Sequence, residues 1–143
     1  MTGQDRATCA ALAALLRAGA LLGQWSLALS TAAALALALR DLGTAAWLGC
    51  GATLLLGLPE RYLAVRLRLD ERLFDGLARG DVASLATLDA ALAQLGLRAA
   101  TPGAPRGLDE RLHGARRWMR RHALLVAGQT TVFLIALAAL HGA

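Results

Sequence analysis

Lysine is absent from this chain. All fifteen basic residues are arginine, which fits a genome of high GC content. Cysteine is scarce: Cys9 lies near the N-terminus and Cys50 inside an apolar run, far apart and without CxxC spacing. Two such residues give no disulfide framework and no thiolate metal site, so both are expected to be free thiols. No P-loop, GxGxxG, HExxH, CxxC or GxSxG pattern occurs, which removes the usual signatures of nucleotide, zinc-hydrolase, redox and serine-hydrolase chemistry. No catalytic residue, metal or bound cofactor is expected, and the chain is not expected to be an enzyme.

Charge is missing from long stretches as well. Ala18–Leu39 holds no charged residue, and neither does Leu42–Leu58. Only Arg40-Asp41 interrupts them. At 1.5 Å rise per residue the two blocks are about 33 and about 25 Å long, against a bilayer core of about 30 Å. They read as a transmembrane helical hairpin with a tight turn at Arg40–Gly43. A soluble alanine- and leucine-rich bundle is the alternative, but soluble helices keep a polar face, and 57% of this chain is hydrophobic. A cleaved signal peptide is disfavoured because the run is about twice a usual h-region and further apolar blocks follow.

A third apolar block, His122–Leu140, follows a basic cluster: Arg116, Arg117, Arg120 and Arg121, with Trp118 among them. Arginine beside an aromatic residue also occurs in nucleic-acid interfaces. Next to a membrane-length block it reads instead as a lipid-headgroup collar. Twelve of the fifteen arginines fall between Pro59 and Arg121, and none follows His141. The positive-inside bias then puts the N-terminus and the long middle segment in the cytoplasm and the C-terminus outside.

The expected fold is therefore an all-α integral membrane protein with three transmembrane helices, a hairpin plus one, and a cytoplasmic helical insertion between helices two and three. Residues 1–17 form an interfacial segment, 18–58 the hairpin, 59–121 the cytoplasmic part with a Pro/Gly-rich loop at 98–107, and 122–141 the third span. Pro59 is expected to end the second apolar helix and open an amphipathic one over Glu60–Arg79, with Tyr62, Val65, Leu69, Leu73 and Leu77 on its apolar stripe. Gly80 and Asp81 are expected to stop that helix and cap the next. Leu85, Leu88, Leu92 and Leu95 then form a short a/d-like seam suited to a protein partner.

Several residues are candidates for packing or polar function. Gly19 and Gly23 stand at GxxxG spacing, and Ala45, Gly49, Thr53 and Gly57 recur every four residues, so both stripes would let helices approach closely. Gln24 and Gln129 are the most polar residues in the blocks, expected at similar depth and able to hydrogen-bond across the bundle. The carboxylates all fall outside the expected membrane core. Histidine is absent from the first two blocks, so the chain cannot hold haem between two of its own spans. His122 reads as part of the basic collar, with a cofactor shared with another subunit left open.

These features suggest a small non-catalytic accessory, scaffold or assembly subunit of a larger complex in a bacterial inner membrane. The expected partners are membrane lipid and other membrane subunits or further copies of the chain, with no nucleic acid. Two alternatives are a homo-oligomeric pore or transport component using Gln24 and Gln129, and a membrane-anchored adaptor recruiting a soluble partner through its cytoplasmic helices.

Overall fold

The computed structural model describes residues 2–82, 84–96 and 107–141. Among these the chain is all-helical, with four helices: α1 (Gly3–Leu39), α2 (Thr44–Arg79), α3 (Leu85–Gln94) and α4 (Leu108–His141). The three long helices pack along one another. Most of the Pro/Gly-rich loop expected at 98–107 lies outside the described residues. Two helical stretches, Gly3–Leu39 and Leu108–Leu140, are long and apolar enough to cross a membrane.

α1 begins well before the apolar run. The Thr2 hydroxyl accepts from the Asp5 N–H at 3.2 Å, and the Asp5 carboxylate accepts from the Thr2 N–H at 2.7 Å. This capping box satisfies two donors that a helix start otherwise leaves unpaired. The N-terminal segment is thus an extension of the first helix. The turn falls at the Arg40-Asp41 interruption, with Arg40 ending α1 and Gly43 preceding α2.

The break expected at Pro59 does not occur, because α2 runs straight through it. Proline removes one N–H and leaves the carbonyl four residues back, at Leu55, without its helical donor. Both Pro59 and Leu55 are exposed, so the ring and the missing bond point away from the packed face. In the same way, the basic segment over 108–121 and the apolar block from His122 are one continuous helix.

Continuity changes which face of α2 is inside. The buried positions are Ala46, Cys50, Thr53, Gly57, Glu60, Leu63, Leu67, Phe74, Gly76 and Leu77. Up to Leu67 they recur at steps of three and four, the repeat that keeps one face inward. Tyr62, Val65 and Leu69, expected on the apolar stripe, are instead 64, 70 and 43% exposed. A helix starting afresh at Pro59 could have turned either face inward. A helix continuing from Thr44 cannot.

Gly80 ends α2 in the left-handed region, with φ 83°, as helix C-termini commonly do. α3 starts after Ser84, whose hydroxyl accepts from the Thr87 N–H. Ser84 therefore takes the capping role expected of Asp81, which pairs with Arg79 at 3.2 Å.

The interior has three layers. At one end Ala33, Cys50 and Ala136 form a small apolar core. At the other, Cys9, Leu12, Leu16, Leu67, Phe74, Leu77, Leu88 and Leu112 form a larger one. The two free cysteines thus sit in opposite cores. Between the cores lies a layer of polar side chains.

Candidate functional site

The polar layer is built from residues spaced to share a face. Thr53 and Glu60 on α2 are seven apart, and so are His122 and Gln129 on α4. Two helical turns separate each pair, so both members point the same way. Ser26 and Ser30, four apart, complete the layer from α1. Ser26, Thr53, Glu60 and Gln129 are 0% exposed and His122 is 1% exposed.

Glu60 is the hub. Its Oε2 accepts from Arg61 Nε at 2.8 Å and contacts Ser26 Oγ at 2.7 Å, and its Oε1 contacts His122 Nε2 at 2.7 Å. The neighbouring Arg61 also donates from Nη2 to the Gly23 carbonyl. Gln129 is the second hub. Its Nε2 donates to Ser30 Oγ at 2.9 Å, the Thr53 carbonyl at 3.2 Å and, more weakly, the Ser26 carbonyl at 3.4 Å. The Thr53 hydroxyl turns back to the Gly49 carbonyl. One continuous network therefore ties α1, α2 and α4 together.

Hydrogen counting adds a constraint. The two backbone carbonyls around Gln129 Nε2 require a donor there, which fixes the amide so that Oε1 faces Ser26 Oγ at 2.6 Å. Ser26 then has one hydroxyl hydrogen and two acceptor oxygens, Gln129 Oε1 and Glu60 Oε2. A proton on Glu60 Oε2 would supply the missing hydrogen. Among the described residues nothing pairs with His122 Nδ1.

This geometry corrects the expectation that every carboxylate lies outside the apolar zone. Glu60 contacts Ser26, eight residues inside the first apolar run. Following the Ala46–Cys50–Thr53–Gly57 spacing through Pro59 would have reached it. His122 is likewise not part of the exposed collar, since its ring is buried against Glu60. Gln24 and Gln129 do not meet: Gln24 is exposed on the flank of α1, whereas Gln129 faces the bundle axis.

The small residues lie at close helix approaches. A methyl group at Gly49 would stand 2.6 Å from Ala136 Cβ on α4, and one at Gly57 would stand 2.6 Å from Ser30 Oγ on α1. At Gly19 it would overlap the Met119 side chain, and at Gly23 it would crowd Arg61. Ala45 is exposed and its neighbour Ala46 is buried. A strict four-residue stripe drifts about 40° per step, so it cannot hold one face over twelve residues.

The leucine seam points inward. Leu88 is buried in the larger core, with Leu85 and Leu92 packed against it, while Leu95 is 71% exposed. The seam is spent on the chain's own bundle, which corrects its assignment to a protein partner. Arg116, Arg117, Arg120 and Arg121 are exposed, and the Arg66 and Arg121 guanidiniums each lie over the Trp118 ring, 5.0 Å from its centre.

Two concavities open on the bundle, one beside the larger core and one beside the polar layer. A cleft of about 540 Å³ opens between α2, α3 and α4, with Leu73, Phe74 and Leu88 among its apolar lining and Asp70, Arg66 and His113 among its polar lining. Burial pushes the Asp70 carboxyl above the usual carboxylate range, partly offset by Arg66. A groove of about 230 Å³ lies between α1 and α2, with His122 among its lining residues. Among the described residues, no three histidine, cysteine or carboxylate side chains converge as a metal site would require.

No protein family, curated protein or solved structure matches this chain.

Proposed function

We propose that this chain is a three-span subunit of a bacterial inner membrane, acting as a non-catalytic scaffold or assembly factor for a larger complex. The observation that carries this reading is the polar layer. Ser26, Glu60, His122 and Gln129 direct their hydrogen bonds largely at one another, which is how buried polar groups fix helix register. Such a layer suits a rigid part.

α2 is the third span on this reading. It exposes Trp47, Leu48, Leu55 and Leu58, each 57–69% accessible, and α1 and α4 do likewise with Leu21, Leu35, Leu124 and Ile135. A soluble bundle would place polar residues there. Counting inward from Arg40, a core of about 30 Å reaches Gly19 or Ala20. Glu60 and Arg61, which meet α1 at Ser26 and Gly23, then lie just inside the cytoplasmic boundary. Met119 of α4 meets Gly19 at that level, so Arg120 and Arg121 lie at the boundary and Arg116 and Arg117 beyond it.

Photo-crosslinkers at Trp47, Leu55 and Leu134 test the scaffold role in intact membranes. They should capture one dominant membrane protein, whose abundance falls when this chain is deleted. A strictly monomeric particle with no crosslinked neighbour would overturn the reading.

The buried Glu60–His122 pair favours one alternative, a component that carries protons, since intramembrane ionisable residues often serve that role. Proton flux in liposomes that disappears in Glu60→Gln would establish it. Gln24 is exposed on the flank of α1 while Gln129 is buried against Ser26 and Ser30, so the two do not share one polar path within the chain.

A further inference from the structure

We infer that the groove between α1 and α2 is a binding site for one anionic phospholipid, an inference that rests on the membrane reading above. Its floor is made of small residues, Gly19, Ala20 and Gly23 on α1 and Ala64 on α2. Leu27 and Val65 form apolar walls, 51 and 70% exposed. A volume of about 230 Å³ suits part of an acyl chain and is far too small for a helix, whose diameter is about 10 Å.

Charge selects the headgroup. Arg61 and Arg68 line the groove, and among the described residues no carboxylate does. Arg61 is committed to Glu60 and to the Gly23 carbonyl. Arg68 is exposed and has no carboxylate partner among the described residues, unlike Arg17, which bonds Glu71 at 2.9 Å. An uncommitted guanidinium beside an apolar groove matches a phosphate that sits beside an acyl chain.

Depth agrees with chemistry. Arg68 lies seven residues beyond Arg61, about 10 Å further toward the cytoplasm. That puts Arg61 just inside the boundary and Arg68 at headgroup level. The small-residue floor runs from the boundary inward, where the first methylenes of a lipid would lie. Basic pockets between spans on the cytoplasmic side are a recurrent form of anionic-lipid recognition. The collar at Arg116–Arg121 attracts the whole leaflet; this groove would hold a single molecule in register with α1 and α2.

Native mass spectrometry of the full-length protein tests the site. Delipidated protein is exposed to mixed micelles containing phosphatidylglycerol or phosphatidylcholine. One phosphatidylglycerol per chain should be retained at least tenfold over phosphatidylcholine. Arg68→Gln, which removes the headgroup contact, and Ala20→Leu, which fills the floor, should each abolish that preference. The double variant Arg116→Gln/Arg120→Gln should keep it, and soluble glycerol phosphate should not compete. Should Ala20→Leu fail to fold, Arg68→Gln alone decides. Equal retention of the two lipids, an unaffected Arg68→Gln, equal loss in the collar variant, or competition by glycerol phosphate would overturn the proposal. Recovery of the chain in the soluble fraction would instead overturn the membrane reading on which it rests.

Discussion

At Gln129 a single side chain links three helices, bonding Ser26 and Ser30 of α1 and the Thr53 carbonyl of α2 from its place on α4. Substitution Gln129→Leu keeps the volume and removes every bond. It should cost about 1–2 kcal/mol, since interhelical hydrogen bonds in membranes contribute about 0.6–2 kcal/mol. Unfolding in detergent checks this, and an unchanged midpoint would show that the layer does not hold the bundle. Asp70 sets a pH dependence at the other end of α2. Desolvation raises its folded-state value, with Arg66 opposing. The fold therefore favours the neutral form, and the contribution is present at low pH and lost as pH rises through the raised value. Asp70→Asn should be more heat-resistant than the parent at pH 7 and match it at low pH. Thermal unfolding across that range decides, and parallel profiles for the two proteins would contradict the argument.

Among the elements, α2 carries the most consequence. Its continuity through Pro59 turns a hairpin and a separate surface helix into one 36-residue rod, and it brings Glu60 into the interior. Gly49 is where that rod meets α4. A side chain there has no room, because even a methyl would sit 2.6 Å from Ala136 Cβ. Gly49→Leu should force the helices apart and cost about 1–3 kcal/mol or more. Disulfide crosslinking between cysteines introduced on α2 and α4 near that level should fall with it, and undiminished crosslinking would refute the close approach. Much of this element was legible in the sequence: the turn at Arg40, the left-handed Gly80 and the small residues at Gly49 and Gly57. The face of its second half was not. Tyr62–Val65–Leu69 and Leu63–Leu67–Phe74 are both apolar stripes, and only continuity with Ala46–Gly57 chooses between them. Glu60 was hidden for the same reason. A carboxylate after a proline reads as the start of a solvated helix unless the helix is known to continue.

For the whole molecule, a polar layer sits between two apolar cores; bulky apolar side chains are exposed along the half that holds the smaller core, and arginines are exposed around the larger one. That arrangement inverts a soluble bundle. It is the one expected where lipid replaces water as solvent, since internal polar contacts then have no competing solvent. The three-span reading makes residues 40–43 extracytoplasmic and α3 cytoplasmic. A membrane-impermeant thiol reagent applied to intact cells should label a cysteine placed at Asp41 and leave one placed at Thr87 untouched. Labelling of Thr87→Cys would reverse the orientation.

The central claim is that Glu60 and His122 join α2 to α4 inside this bundle, 2.7 Å apart. A double-mutant cycle measures it directly, using Glu60→Ala, His122→Ala and the double variant in unfolding assays in phospholipid bicelles. Each single change leaves a buried polar group without its partner and should be strongly destabilising. The double variant should cost less than the sum of the two by about 1–2 kcal/mol. Strict additivity would contradict the account, because it would mean that the pair contributes nothing to holding α2 against α4.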